Sequence, residues 1–167
     1  MNGSKKEYPQ RKRNRLREFD YSNDGYYFIT ICVDEMVNCF GKVESSDVIL
    51  NDYGKVIKTI LTGLSTKYKC CEIDYYIIMP NHIHFIMIID NSNKNLTCSV
   101  PKIVGAFKSV TTIEIHKMGL ENFKWQRSYY DRIIRNESKL FYIRQYIEQN
   151  PLRWELEKDN PENLELM

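Results

Sequence analysis

The chain has 167 residues, a length that suits one domain with its own core, so no second domain is expected. Its 24 basic and 22 acidic residues leave a net charge of only +2, and its longest apolar run, the "FIMII" of residues 85–89, is far too short to span a bilayer. The amino terminus lacks an apolar signal core. The five cysteines are odd in number and form no CxxC pair, which argues against a disulfide framework or zinc knuckle and makes a reducing cytoplasm the expected setting.

The charge is unevenly spread. Residues 1–17 hold seven basic side chains (Lys5, Lys6, Arg11, Lys12, Arg13, Arg15, Arg17) against Glu7 alone, so 17 basic and 21 acidic residues remain for the rest. A basic arm on a near-neutral body suits a phosphate backbone, because each neutralised phosphate releases counterions; a solubilising tail is the plain alternative. The expected organisation is an arm over 1–20, one domain over 21–154 and an acidic tail over 155–167.

Along the chain, "GYYFITICV" (Gly25 to Val33) is β-branched and aromatic and predicts a strand. "DVILNDYGKVIKTILTGL" (Asp47 to Leu64) carries apolar residues with a 3.6-residue period and predicts an amphipathic helix capped by Ser46 or Asp47. "CEIDYYIIM" and "HIHFIMIID" predict two strands joined by a turn at Pro80-Asn81. Val100 to Met118 predicts a second helix with Pro101 in its first turn, Phe123 to Ile134 a strand, and Asn136 to Asn150 a third helix, opened by Asn136 or Ser138 and stopped by Pro151. The order β-α-β-β-α-β-α is the split βαβ pattern. It predicts an α+β, ferredoxin-like antiparallel sheet with helices packed on it and one extra carboxy-terminal helix.

Two constellations carry chemistry. In a strand, residues i and i+2 share a face, so His82 and His84 project together while Ile83 and Phe85 point the other way. That spacing suits two imidazoles on one metal ion, without choosing among zinc, copper, iron and manganese; two neutral buried rings satisfied by backbone groups fit as well. On the third helix Tyr142, Tyr146 and Asn150 are four apart and share a face, offering a nucleophilic hydroxyl and an oxygen ligand toward one point. Simple packing of the tyrosines, with Asn150 as a stop before Pro151, is the alternative. His116 reads as a surface or helix-end residue.

"IIMPNHIHFIMII", followed by "WQRSYYDRIIRN" and "YIEQNP", resembles the single-tyrosine, HUH-type insertion-sequence transposases, and within them the REP-associated tyrosine transposase (RAYT) branch. "RLREFDYSNDGYYFITIC", "FGKV" and "NPLRWELEKDNPEN" extend the likeness over roughly residues 11 to 163. The resemblance implies that His82 and His84 bind a divalent cation, Mg²⁺ or Mn²⁺, that Tyr146 is the nucleophile and that Asn150 is the third ligand, where other branches use glutamine. Gln149 competes for that role but lies about 100° around the helix.

The chemistry so implied is cleavage of single-stranded or hairpin DNA through a 5′-phosphotyrosine, the metal acting as Lewis acid and the captured bond allowing strand transfer. A phenol with a pKa near ~10 needs activation, and the sequence names no base. DNA contacts are expected from Arg11, Lys12, Arg13, Arg15, Arg17, Lys102, Lys108, Arg127, Arg132 and Arg135, with Trp125 either stacking on an unpaired base or packing in the core. The protein is expected to be a monomer or a homodimer with no membrane partner. A non-catalytic DNA-binding relative is the competing class. A histidine-triad nucleotide hydrolase would need a histidine at position 86, which is Ile86.

Overall fold

The computed structural model describes residues 19–92 and 97–157. The expected basic arm therefore lies almost wholly outside the described residues, as does most of the acidic tail. Four strands, β1 (Gly25–Cys32), β4 (Cys71–Ile78), β5 (His82–Ile89) and β6 (Tyr130–Ile134), form one antiparallel sheet in the order β4-β5-β1-β6. That is the ferredoxin-like arrangement expected from the element order, since β1 and β4 run parallel on either side of β5 and are joined through a helix.

The sheet is covered on both faces because its strands carry apolar residues on both. On one face Tyr27, Ile29 and Ile31 of β1 and Ile83, Phe85 and Met87 of β5 are fully buried. They pack with α1 (Asp52–Lys67), through Ile57, Leu61 and Leu64, and with α2 (Val100–Lys117), through Ile103, Val104 and Phe107. On the other face Ile86 and Ile134 pack with Ile147 of α3 (Glu137–Glu148), flanked by Phe28, Ile143 and Tyr146. At about 25 cal/mol per Å² of apolar area, both layers contribute, but the α1–α2 layer dominates.

Several boundaries differ from expectation for local reasons. Residues 47–50 are not the start of a helix: β2 (Gly41–Glu44) and β3 (Asp47–Leu50) form a separate hairpin. Its turn residues Ser45 and Ser46 both take positive φ, the geometry of a type I′ connection that serine seldom signals. Helix α1 is capped instead by Asn51, whose side chain accepts from the Gly54 N–H at 3.0 Å. The expected strand 123–134 pairs as a ladder only at β6, its earlier part making a single bridge between Val33 and Trp125. Asn136 caps α3, as expected, through the Lys139 N–H. Pro151 does not end the helical region: it sits in the first turn of α4 (Asn150–Glu157), where a missing N–H costs nothing, and α4 runs across the expected boundary at 154/155.

The cysteines also depart from expectation. Cys70 and Cys98 form a disulfide, while Cys32, Cys39 and Cys71 are free. Odd number and absent CxxC spacing do not report on cysteines that the fold juxtaposes from 28 residues apart, so the cysteine pattern no longer supports a reducing compartment. Among the described residues no helix is long and apolar enough to cross a membrane.

Candidate active site

The α3 face of the sheet holds the site. Across it, the pairing register aligns Ile77 of β4, His84 of β5, Thr30 of β1 and Tyr130 of β6 in one row. The Pro80-Asn81 turn, closed by the Met79 N–H to the His82 carbonyl at 2.8 Å, puts His82 at the start of β5. His82 and His84 do share a face, with ring centroids 4.6 Å apart, while Ile83 and Phe85 enter the main core.

Both rings are oriented through Nδ1. Asn81 donates its amide nitrogen to the Met36 carbonyl at 3.0 Å, which turns its oxygen toward His82 Nδ1 at 2.7 Å. An amide oxygen only accepts, so His82 carries its proton on Nδ1. Thr30 Oγ1 lies 2.7 Å from His84 Nδ1 and can fix the same tautomer there. With Nδ1 protonated, each ring keeps its lone pair on Nε2, the nitrogen a cation would take, which is the usual way an outer partner prepares a ligating imidazole. Sequence reasoning missed Thr30 and Asn81; for Thr30 only the strand register reveals the contact.

Burial dominates the electrostatics. It pushes His82 down to about 4, opposed by a contact with the Asn150 side chain that favours the protonated ring, as an amide oxygen would. Burial, aided by neighbouring His82, holds His84 well below its ordinary range. Both rings are neutral at pH 7, so binding a cation releases no proton from them.

The helices bring in the other groups. The Tyr146 ring lies 5.3 Å from His84 and 6.0 Å, edge-on, from Phe28. Asn150 is 7% exposed beside His82, whereas Gln149 caps α3 at the surface. Tyr142, on the same helix face, ends up exposed away from the histidines. Helix α3 is pinned to its own chain's sheet by Arg144, whose Nε and Nη2 donate to the two Asp74 oxygens at 2.9 and 2.6 Å. From α4, Arg153 lies over the Tyr146 ring and Trp154 lies 5.9 Å from His82; neither was anticipated from the sequence.

The remaining expected contacts divide. Arg132 and Arg135 line a cleft of about 500 Å³ between β6 and α3, with Lys139 and Tyr142. Arg127 is exposed. Lys102 and Lys108 lie on α2, on the opposite side of the sheet, and Lys108 donates to the Gln126 and Arg127 carbonyls. Trp125 is a core residue: 8% exposed, packed on Phe40, Phe107 and Phe123, with its indole N–H donated to Thr111 at 2.9 Å. A base cannot reach it, which corrects the stacking expectation. His116 is tied at the end of α2 to the Phe123 carbonyl. Arg11, Lys12, Arg13, Arg15 and Arg17 lie outside the described residues.

Among the described residues no three histidine, cysteine, aspartate or glutamate side chains gather as a metal cluster. A cation here would rest on two imidazoles and the Asn150 amide oxygen, leaving positions for water and substrate oxygens. That donor set fits a divalent ion, and its imidazoles suit Mn²⁺ better than the harder Mg²⁺.

A four-stranded ferredoxin-like sheet with a His-x-His pair on its central strand and a tyrosine helix across it defines a class, and the comparisons agree. Residues 40–150 match the family described as IS200-like transposase, and the chain belongs to that family. It is 32% identical over 163 residues to an uncharacterized protein of Haemophilus influenzae, covering 87% of this chain and 90% of that one. Its fold is similar to that of a REP-associated tyrosine transposase bound to a REP hairpin, with a TM-score of 0.60 at 19% identity over 83% of this chain and 73% of the other. A protein of Deinococcus radiodurans R1 assigned as a transposase shares the fold at a TM-score of 0.52 and 17% identity, over 81% and 95% of the two chains.

Proposed function

We propose that the chain is a metal-dependent single-stranded DNA endonuclease and strand transferase of the REP-associated branch, acting on hairpin DNA through a 5′-phosphotyrosine on Tyr146. The observation that carries this reading is the convergence of Tyr146 on His84 and of Asn150 on His82 within one chain.

His82, His84 and Asn150 would hold the cation, Mn²⁺ or Mg²⁺, which when bound supplies Lewis-acid polarisation of the scissile phosphate. The chain's own groups do the rest. Thr30 and Asn81 hold the imidazoles in the ligating tautomer. The Tyr146 hydroxyl attacks phosphorus: an Oη–P bond forms, the P–O3′ bond breaks, the phenol proton is lost to solvent, and the departing oxygen takes up a proton to become a free 3′-hydroxyl. Helix α3, held by the Asp74–Arg144 pair, fixes the nucleophile against the sheet, where misplacement of about 1 Å can cost about 10²-fold. Arg132 and Arg135 in the β6–α3 cleft, with exposed Tyr130 two strands from His84 in the same row, give the flanking strand cations and a stacking ring. The arm residues, Arg127 and Lys102 would add backbone contacts. With DNA as substrate, the place of action is the cytoplasm.

A hairpin oligonucleotide labelled at its 3′ end, incubated with Mn²⁺, should yield a labelled band of protein size on a denaturing gel. Tyr146→Phe and His82→Ala should abolish it. Intact hairpin binding with no adduct from the wild type would favour a non-catalytic DNA-binding role instead.

A further inference from the structure

Arg153 places a guanidinium against the candidate nucleophile, its central carbon 5.3 Å from the centre of the Tyr146 ring. Tyr146, Asn150 and Arg153 stand at i, i+4 and i+7, so one helix-face spacing persists across the break between α3 and α4. That alignment is held at both ends of α4. The Arg153 N–H donates to the Gln149 carbonyl at 3.1 Å, and Glu155 Oε2 accepts from the Ser46 N–H and hydroxyl at 2.8 and 3.1 Å, at the tip of the β2–β3 hairpin. Between these anchors Trp154 rests near His82. The Arg153 side chain is exposed, and among the described residues no carboxylate pairs with it.

Phosphoryl transfer develops charge on the equatorial oxygens of the phosphorus, and a preorganised guanidinium with paired donors stabilises that charge more in the transition state than in the ground state. We propose that Arg153 is a further catalytic residue, binding the non-bridging oxygens of the scissile phosphate as Tyr146 attacks; this rests on the phosphotyrosine reading above. The bonds made and broken are those of the step already described, and Arg153 adds only charge and hydrogen bonds.

The test compares full-length wild type, Arg153→Gln and Arg153→Lys on two hairpins: one with the natural phosphate at the cleavage position, one with an uncharged methylphosphonate. On phosphate, Arg153→Gln should slow adduct formation at saturating DNA by about 10²- to 10³-fold, the usual cost of removing one transition-state donor. Arg153→Lys should recover part of that rate, as a point charge replaces the fork. Hairpin affinity, measured by fluorescence anisotropy, should change by less than about tenfold, as for a single exposed contact. On methylphosphonate, where there is no charge to neutralise, Arg153→Gln should react within about tenfold of wild type. A wild-type rate for Arg153→Gln on phosphate, or an equal deficit on both substrates, overturns the proposal. Failure of the wild type itself to form an adduct overturns the phosphotyrosine reading and takes the proposal with it.

Discussion

Replacing Thr30 by valine keeps the shape of the side chain and removes the oxygen 2.7 Å from His84 Nδ1. His84 is only 3% exposed, so water cannot substitute, and its Nδ1–H would be left without an acceptor. An unsatisfied buried donor costs about 1–3 kcal/mol. The ring can avoid that cost by moving its proton to Nε2, which removes the lone pair a cation needs. Either way the variant should bind Mn²⁺ about 10- to 100-fold more weakly, the usual cost of losing an orienting partner. At roughly 2–4 °C per kcal/mol for a chain of this size, a midrange penalty lowers the melting temperature by about 4–8 °C. Titration calorimetry with MnCl₂ and a thermal melt measure both effects, with Thr30→Ser as the control that keeps a hydroxyl. Mn²⁺ affinity within about twofold of wild type in Thr30→Val would refute the orienting role.

The two buried histidines also predict a pH dependence. Their folded pKa values lie below the unfolded one, so as pH falls below about 6.5 the unfolded chain takes up protons that the folded chain refuses, and stability falls. For His82 this loss runs from about 6.5 down to its folded value of about 4; stability above that window should be flat with respect to these groups. Urea unfolding at a series of pH values checks it, and a slope unchanged by His82→Gln would contradict it. Asp74→Asn should weaken the half-exposed pair with Arg144 by about 0.5–1 kcal/mol and speed hydrogen exchange in α3, while slowing adduct formation more than it lowers stability. Unchanged exchange in residues 140–148 would show that the pair does not hold the helix.

The sheet and its histidine pair were legible because both follow from period two: alternate residues of β1 and β5 segregate to opposite faces in the sequence as in the structure. The Tyr146–Asn150 pair was legible from period four. What escaped is what depends on distance in sequence rather than period. The 47–50 segment shows apolar spacing compatible with a helix, yet pairs with 41–44 because a two-serine turn brings them together. The alternation of 123–134 was real, but in Phe123 and Trp125 it marks burial against Phe40 and Phe107 rather than a ladder. Thr30, Cys70–Cys98 and the docking of Glu155 on Ser46 are juxtapositions that no local pattern announces. Arg153 did carry a signal, seven residues after Tyr146, but Pro151 between them made the helix look finished.

The proposed reaction turns on Tyr146 becoming covalently joined to DNA. Digesting the protein with trypsin after reaction with a hairpin and Mn²⁺, trimming the DNA with nuclease and sequencing the peptides by mass spectrometry locates the attachment. A nucleotide joined through its 5′-phosphate to the Tyr146 oxygen is expected; attachment at another residue, or cleavage with no peptide modified, would rule out Tyr146 as the nucleophile.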